Sequence, residues 1–320
     1  MKGKNILVTG GAGFIGNHLA EHLLQMEGVE KVRILDNFST GSYANIERLQ
    51  NIPAFECFEG DIRNINTCIK ASKGIDLICH QAALGSVPRS IEDPVSTHEV
   101  NVSGTFNIFY SAKYCGIKRV VYASSSAIYG DHPTLPKKEN ITGNPLSPYA
   151  LSKWINEKYA GIYAKVYGLS IVGLRYFNIF GPRQDPNGPY AAVIPIFMKA
   201  AITGQSPVIH GDGSFSRDFT YIDNAVDANI KALFSENITP DVHKVYNVAC
   251  GTQTRLDEIW DAIQSIAKTN LKAHVGPPRK GDIPHSLADI SLAKAELGYI
   301  PNISVYEGLE KTYHFIKAHI

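Results

Sequence analysis

The chain has 320 residues, more than one typical domain holds and enough to bury a large apolar core. With 44% hydrophobic and 19% charged residues it has the composition of a soluble globule, and no apolar run approaches the roughly 18–20 residues that span a bilayer. Lys+Arg 31 against Asp+Glu 30 leaves a net charge of +1, which argues against a nucleic-acid binder but permits a local site for a charged ligand.

In chain order, the first 180 residues alternate β-rich runs with helical stretches. Met1-Lys2-Gly3-Lys4 leads directly into NILVTG (5–10), which leaves no room for a signal peptide and points to a cytoplasmic protein. Further strands are predicted at VRILD (32–36), FECFEGD (55–61), DLICHQA (76–82), RVVYASS (119–125) and IVGLRYF (171–177). Several are apolar on both faces, as strands buried in a parallel sheet are. Helices are predicted between them at Gly13–Gln25, Val95–Cys115 and Tyr149–Val166. The expected fold is α/β, a doubly wound parallel (Rossmann) sheet with ligands at the carboxyl ends of its strands.

Past Asn178 the character changes. GPRQDPNGP (181–189) and PPRKGDIP (277–284) read as loops, with helices at Val193–Ile202, Leu256–Ala267, Leu292–Leu297 and Val305–Ala318 and a strand near Tyr246–Ala249. The expected organisation is a dinucleotide-binding domain over 1–177, to which a segment of about 218–249 returns. A smaller, mixed α/β substrate domain covers the rest of 178–320. The five cysteines form no CxxC pair and the 11 histidines show no metal-like spacing, so neither a disulfide scaffold nor a metal site is expected. His80, ending an apolar strand, reads as a core histidine.

Thr9-Gly10-Gly11-Ala12-Gly13-Phe14-Ile15-Gly16 follows the first strand and opens the first helix. Glycines there allow a tight turn and let backbone N–H groups approach a pyrophosphate. Asp36 ends the second strand, 20 residues after Gly16, where a carboxylate accepts both adenosine ribose hydroxyls and repels the extra phosphate of NADP. NAD is therefore the expected cofactor. Asp61 and Gln81-Ala82-Ala83 end later strands and would flank adenine and pyrophosphate.

Tyr149 and Lys153 stand four apart on one helix face. A tyrosine acting as base at neutral pH needs its pKa lowered by about 3 units, roughly 4 kcal/mol in favour of the phenolate. A neighbouring ammonium and the positive nicotinamide ring would supply it by charge proximity. Tyr114/Lys118 and Tyr313/Lys317 share the spacing but read as structural. What singles out Tyr149 is the Ser124-Ser125-Ser126 cluster closing the fifth strand, where a hydroxyl can relay a proton.

These residues resemble the extended short-chain dehydrogenase/reductase family of nucleotide-sugar enzymes. The carriers are TGGAGFIG, Asp36, the serine cluster, SPYALSK (147–153), LRYFNIFGPRQDP (174–186), GDGSFSRDFTYIDN (211–224) and HSLADISLAKAELGY (285–299). GSVPRSIEDP (85–94) and YAAVIP (190–195) resemble the branch that interconverts UDP-N-acetylglucosamine and UDP-N-acetylgalactosamine. Related dehydratases carry Asp-Glu, and decarboxylases a Glu, where Ser126 and Ala127 precede Ile128-Tyr129-Gly130 here; that substitution implies an epimerase. The implied cycle oxidises the sugar at C4 with Tyr149 taking the O4 proton, rotates the 4-keto sugar, and returns hydride to the other face, with NAD retained throughout.

The resemblance further implies cofactor contacts from Asn37, Ser39, Thr40, Gly41 and Ile62, and from Asn101, Ser124, Lys153 and Tyr176. It makes Ser125 the best match to the catalytic serine, with Ser126 next. For the UDP-sugar it implies Asn178 at the phosphates, Arg217 and Arg279 facing the diphosphate, Asp282 at the uridine ribose and Ala192-Val193 behind the nucleotide. Gly85, Ser86 and Ser286 match small wall positions that leave space for a 2-acetamido group. A uronate would need a cation, for which Arg89 is the candidate; a UDP-uronate or UDP-glucose/galactose 4-epimerase is the alternative. The helices around Val95–Cys115 and Tyr149–Val166 are the family's usual homodimer faces. Tyr110, Tyr114, Tyr159, Tyr163 and Tyr167 fit such a surface or an internal one.

Overall fold

The computed structural model describes residues 3–188, 190–211, 213–277 and 283–319. Seven strands form one sheet: β1 (Lys4–Thr9), β2 (Val29–Asp36), β3 (Phe55–Glu59), β4 (Leu77–His80), β5 (Arg119–Ser125), β6 (Ser170–Tyr176) and β7 (His243–Val248). Their spatial order is β7-β6-β5-β4-β1-β2-β3, and every pairing is parallel. The doubly wound expectation holds. The third and fourth strands stop two residues earlier than the sequence suggested, because Gly60-Asp61 and Gln81-Ala82 turn away into the ligand edge.

Alternation along the strands builds two cores. Ile6, Val8, Ile34, Val121 and Val172 face one side, packed with Leu19 and Leu23 of α1 (Phe14–Leu24). Leu7, Leu35, Ile78, Val120 and Ile171 face the other, against Ile108 and Phe109 of α3 (Thr105–Tyr114), which follows α2 (Ile65–Ser72) in the chain. Both faces are covered, which is why these strands carry apolar residues in succession.

α4 (Pro148–Tyr167) has clear sequence causes. The Ser147 hydroxyl accepts the Ala150 N–H at 3.1 Å, Pro148 occupies the first turn, and Gly168 ends the helix at φ +74. The helix predicted from Val95 begins at Pro94, capped by Asp93, and passes through a π-helical stretch, Glu99–Gly104, before α3.

Beyond β6, Asn178 turns the chain at φ +42. α5 (Val193–Thr203) follows, then α6 (Ile222–Phe234), whose Ile222, Ala225, Val226 and Leu233 pack on the α1 side of the sheet ahead of β7. Paired strands missed by sequence reading, among them Ile179–Phe180 with Thr220–Tyr221 and Val208–His210 with His274–Gly276, tie this part together. α7 (Leu256–Ala267), α8 (Ser291–Leu297) and α9 (Val305–His319) complete it. No helix among the described residues is long and apolar enough to cross a membrane.

Candidate active site

Strand order reverses between β1 and β4, and a crevice opens there at the strands' carboxyl ends. It widens into a cavity of about 1130 Å³ that reaches from Asp36 to Val193. Gly10 borders it at φ +67, where a β-carbon would come within 2.7 Å of the Ala82 nitrogen; a β-carbon at Gly16 would overlap the Gly10 carbonyl. Only glycine lets β1 pass so closely into α1.

The α1 N-terminus opens on this cavity. Its cap, Gly13, has no side chain to accept the first N–H groups, and no acidic residue stands in the first turn. Phe14, Ile15 and Gly16 line the wall, so a helix end with unsatisfied donors faces the cavity, as an anion site requires. Asp36 accepts Ala12 N–H at 2.8 Å and Phe38 N–H at 2.8 Å, one on each oxygen. Burial raises its carboxyl above the ordinary range while these backbone donors oppose the shift. The residues fit a dinucleotide: uncapped donors for a pyrophosphate and a carboxylate at the end of β2 for a ribose.

Asn37, Ser39, Thr40, Asp61 and Ile62 also line the cavity. Asp61 accepts Asn37 Nδ2 at 3.0 Å and pairs with Arg63 at 2.7 Å, which holds its carboxyl below the usual range. Ala82 and Ala83 lie on the wall beside Gln81, whose amide is fixed by the Tyr176 hydroxyl at 3.0 Å and by Asn229 at 3.0 Å. Two expected contacts stand elsewhere. Gly41 packs on Ala12, and Asn101 is fully buried behind the wall. From the π-helical stretch, Asn101 accepts Leu84 N–H at 2.8 Å and donates to the Leu84 carbonyl at 3.0 Å, so it shapes the 84–86 loop from behind. His80 is satisfied in the core by Thr9 at 2.6 Å and Thr105 at 2.9 Å.

Tyr149, Lys153, Ser125 and Ser126 meet at the centre of the wall. Ser125 Oγ accepts Ala127 N–H at 3.1 Å and stands beside the Tyr149 side chain. Burial pushes the Tyr149 pKa up and the Ser125 hydroxyl opposes it, so in the protein alone the tyrosine is not pre-ionised by Lys153. Lys153 Nζ lies 5.9 Å from the Tyr149 ring centroid, and burial lowers its pKa to about 8. Ser126 lines the cavity without a bond to Tyr149, while the Ser124 hydroxyl points to Glu157. Of the two look-alike tyrosines, Tyr114 is 62% exposed and Tyr313 lies on the buried face of the C-terminal helix.

At the other end, Gly85, Ser86, Asn178, Ala192 and Val193 line the wall. Arg217 borders an adjoining cavity of about 340 Å³ that shares Asn178 and Val193. Ser286 stands behind Asn178, its Oγ 3.4 Å from Asn178 Nδ2. Arg279 and Asp282 lie outside the described residues. Sequence reading missed Tyr190 and Glu92 as cavity residues. The Tyr190 hydroxyl donates to Glu92, and Arg89 lies 4.8 Å over the Tyr190 ring, so three side chains meet on the cavity wall. YAAVIP and SIEDP were legible as motifs, but nothing local says that they meet.

Residues 6–249 match the NAD dependent epimerase/dehydratase family. A UDP-glucose 4-epimerase of Mycolicibacterium smegmatis is 36% identical, over 97% of this chain and 98% of the relative. Among solved structures, a UDP-N-acetylglucosamine 4-epimerase from Methanobrevibacter ruminantium, in complex with UDP-N-acetylmuramic acid, superposes with a TM-score of 0.93 at 38% identity, covering 100% of both chains. A UDP-glucuronic acid 4-epimerase from Bacillus cereus, in complex with UDP-glucuronic acid and NAD, has a TM-score of 0.91 at 30% identity, over 99% of this chain and 100% of that one. Family match, end-to-end similarity and an uncapped helix beside Asp36 lead to one conclusion: this chain belongs to the NAD-dependent epimerase/dehydratase family, with NAD as its cofactor.

Proposed function

We propose that the protein is a NAD-dependent UDP-sugar 4-epimerase that interconverts UDP-N-acetylglucosamine and UDP-N-acetylgalactosamine. The observation that carries this reading is the serine turn: it brings the Ser125 hydroxyl to Tyr149, and Ser126-Ala127 put no carboxylate there to drive an elimination. The similar proteins named above support 4-epimerisation as the reaction class.

NAD, when bound, supplies the hydride acceptor and donor for the sugar C4. Tyr149 takes the O4 proton and later returns it. Ser125 donates to the phenolate and relays the proton between sugar and tyrosine. Lys153, held by Ala123, keeps a positive charge beside the base. The open wall at Gly85 and Ser86 leaves room for an acetamido group in either sugar orientation. Residues 1–177 with 218–249 serve the dinucleotide, and the remainder of 178–320 serves the UDP-sugar. Ile162, Val166, Tyr167 and Tyr114, 48–62% exposed on α3 and α4, support a homodimer through these helices.

One observation favours a second reading. Among the described residues of the cavity wall, Arg89 and Lys153 are the only Lys or Arg side chains. With Lys153 committed beside Tyr149, Arg89 is the cation that would meet a uronate carboxylate.

Proton NMR of the purified protein with UDP-N-acetylglucosamine and no added cofactor tests both. Growth of the UDP-N-acetylgalactosamine anomeric signal is the expected result. Turnover of UDP-glucuronate with none of the N-acetyl sugar would overturn the first reading in favour of the second. Tyr149→Phe is expected to abolish turnover while retaining NAD; full activity would remove Tyr149 from its role.

A further inference from the structure

The turn that carries the cavity serines, Ser124 to Tyr129, is fastened at both ends to one buried ion pair. At its start, the Ser124 hydroxyl donates to Glu157 Oε1 at 2.7 Å. At its end, the Tyr129 hydroxyl accepts Arg175 Nη1 at 3.0 Å and donates to Asn247 Oδ1 at 2.6 Å. Ser125 and Ser126 lie between these anchors and face the cavity.

Glu157 and Arg175 grip each other through two bonds, Nε to Oε1 at 2.9 Å and Nη2 to Oε2 at 2.8 Å, with side chains 9% and 4% exposed. The remaining guanidinium reach goes to the Glu139 carbonyl at 3.1 Å. Arg175 sits on β6 in register with Ser124 on β5. Glu157 is on α4, one turn beyond Lys153 and two beyond Tyr149. The pair therefore joins β6 to the helix that carries the tyrosine, and the Ser124–Glu157 bond ties in β5, the strand that ends in the serines. A buried ion pair is a weak source of stability, since well-packed apolar residues often serve as well. What it does supply is a fixed, two-point geometry.

We propose that Glu157, with Arg175 as its counter-ion, is a positioning residue for catalysis: it sets the separation between the serine turn and α4, so that the Ser125 hydroxyl meets the Tyr149 oxygen. This rests on the roles given to Tyr149 and Ser125 above. It makes the Ser124 hydroxyl an anchor rather than a cofactor contact. A loosened turn moves away the Ser125 hydroxyl, the group that opposes burial at Tyr149, so more alkaline conditions are needed to ionise the base.

The test is steady-state kinetics of Ser124→Ala, Ser124→Thr and Glu157→Gln on UDP-N-acetylglucosamine, or on whichever UDP-sugar the wild type turns over. It covers the pH range in which each variant stays folded, with NAD content and melting temperature measured alongside. Glu157→Gln strands a buried guanidinium and can fail to fold, so Ser124→Ala, which leaves the ion pair intact, decides. The expected result for Ser124→Ala is a kcat lower by on the order of 10- to 100-fold with KM near wild type. The acidic limb of its kcat profile should move to higher pH, with both effects largely reversed in Ser124→Thr. An unchanged kcat and limb per folded, NAD-loaded molecule would overturn the proposal. So would a loss that tracks NAD content alone. Tyr149→Phe, run in parallel, separates the two levels: an active Tyr149→Phe overturns the parent reading, and an inactive one beside a normal Ser124→Ala overturns this inference alone.

Discussion

Lys153 Nζ donates to the Ala123 carbonyl at 2.9 Å, which ties the buried ammonium of α4 to the strand that ends in the cavity serines. The lysine is 4% exposed, and burial lowers its pKa to about 8 from an unfolded value near 10.4. A lowered lysine pKa means the folded state disfavours the charge. Lys153 therefore costs stability at pH 7, and the cost fades as pH rises from about 8 toward the unfolded value. Lys153→Met is expected to melt at least about 2 °C higher at pH 7, with the gain shrinking at more alkaline pH, while activity falls on the order of 100-fold or more. Thermal scans at two pH values with an activity assay check both. An unchanged or lower melting temperature at neutral pH would show that the Ala123 bond compensates the burial.

Asp36 holds the turn after β2 by accepting one backbone N–H on each oxygen, from Ala12 and Phe38. Asn in its place keeps one acceptor and sets an NH₂ against the other N–H. Asp36→Asn is expected to weaken NAD retention by roughly 10- to 100-fold, the size of a lost hydrogen bond to a charged group. The dinucleotide released from denatured protein, compared between variant and wild type, reads this directly. Equal content would assign Asp36 to the fold alone.

How much of this was legible depended on the range of the interactions. β1, α1 and β2 follow from local rules, because glycine turns, apolar runs and a carboxylate at a strand end are all encoded within a few residues. α4 carried its own cap and stop in Ser147, Pro148 and Gly168. The place of the serine cluster at a strand end already pointed it toward Tyr149, but the choice of Ser125 within the cluster rested on resemblance, since the contact joins separate elements. The resemblance implied Asn101 as a cofactor contact; the π-helical stretch buries it and turns it toward Leu84, and nothing in its neighbours in the sequence marks that direction. The Tyr190–Glu92 bond joins residues 98 apart, and the two-residue strand pairs are too short for any periodicity to mark.

Asp218 predicts a pH-dependent stability. Its buried carboxylate accepts the N–H groups of Cys250 at 2.9 Å, Gly251 at 3.1 Å and Ala288 at 3.2 Å, and burial raises its pKa to about 7. A folded pKa above the unfolded one, near 3.9, gives stability that is full below the lower value and lost as pH rises to about 7. Relative to Asp218→Asn, the wild type is expected to lose on the order of 3 kcal/mol between pH 5 and pH 8. Urea unfolding of both proteins at the two pH values measures the difference. A flat difference would mean that the backbone donors hold the carboxylate ionised throughout.

Ser286 tests the acetamido reading by volume. Its hydroxyl stands 3.4 Å from Asn178 Nδ2, and Asn178 lines both the main cavity and the smaller one beside Arg217. A tyrosine at this position cannot keep that contact; its ring displaces Asn178 or enters the space beside it. If the 2-acetamido group occupies this side in one of the two sugar orientations, Ser286→Tyr loses UDP-N-acetylglucosamine turnover by at least about tenfold relative to UDP-glucose, since a pocket rejects excess volume more strongly than it rewards a fit. NAD content should not change, because Asp36 and the α1 N-terminus lie at the far end of the cavity. Equal losses on both sugars would place the acetamido group elsewhere, with Gly85 and Ser86 the remaining small positions on the wall.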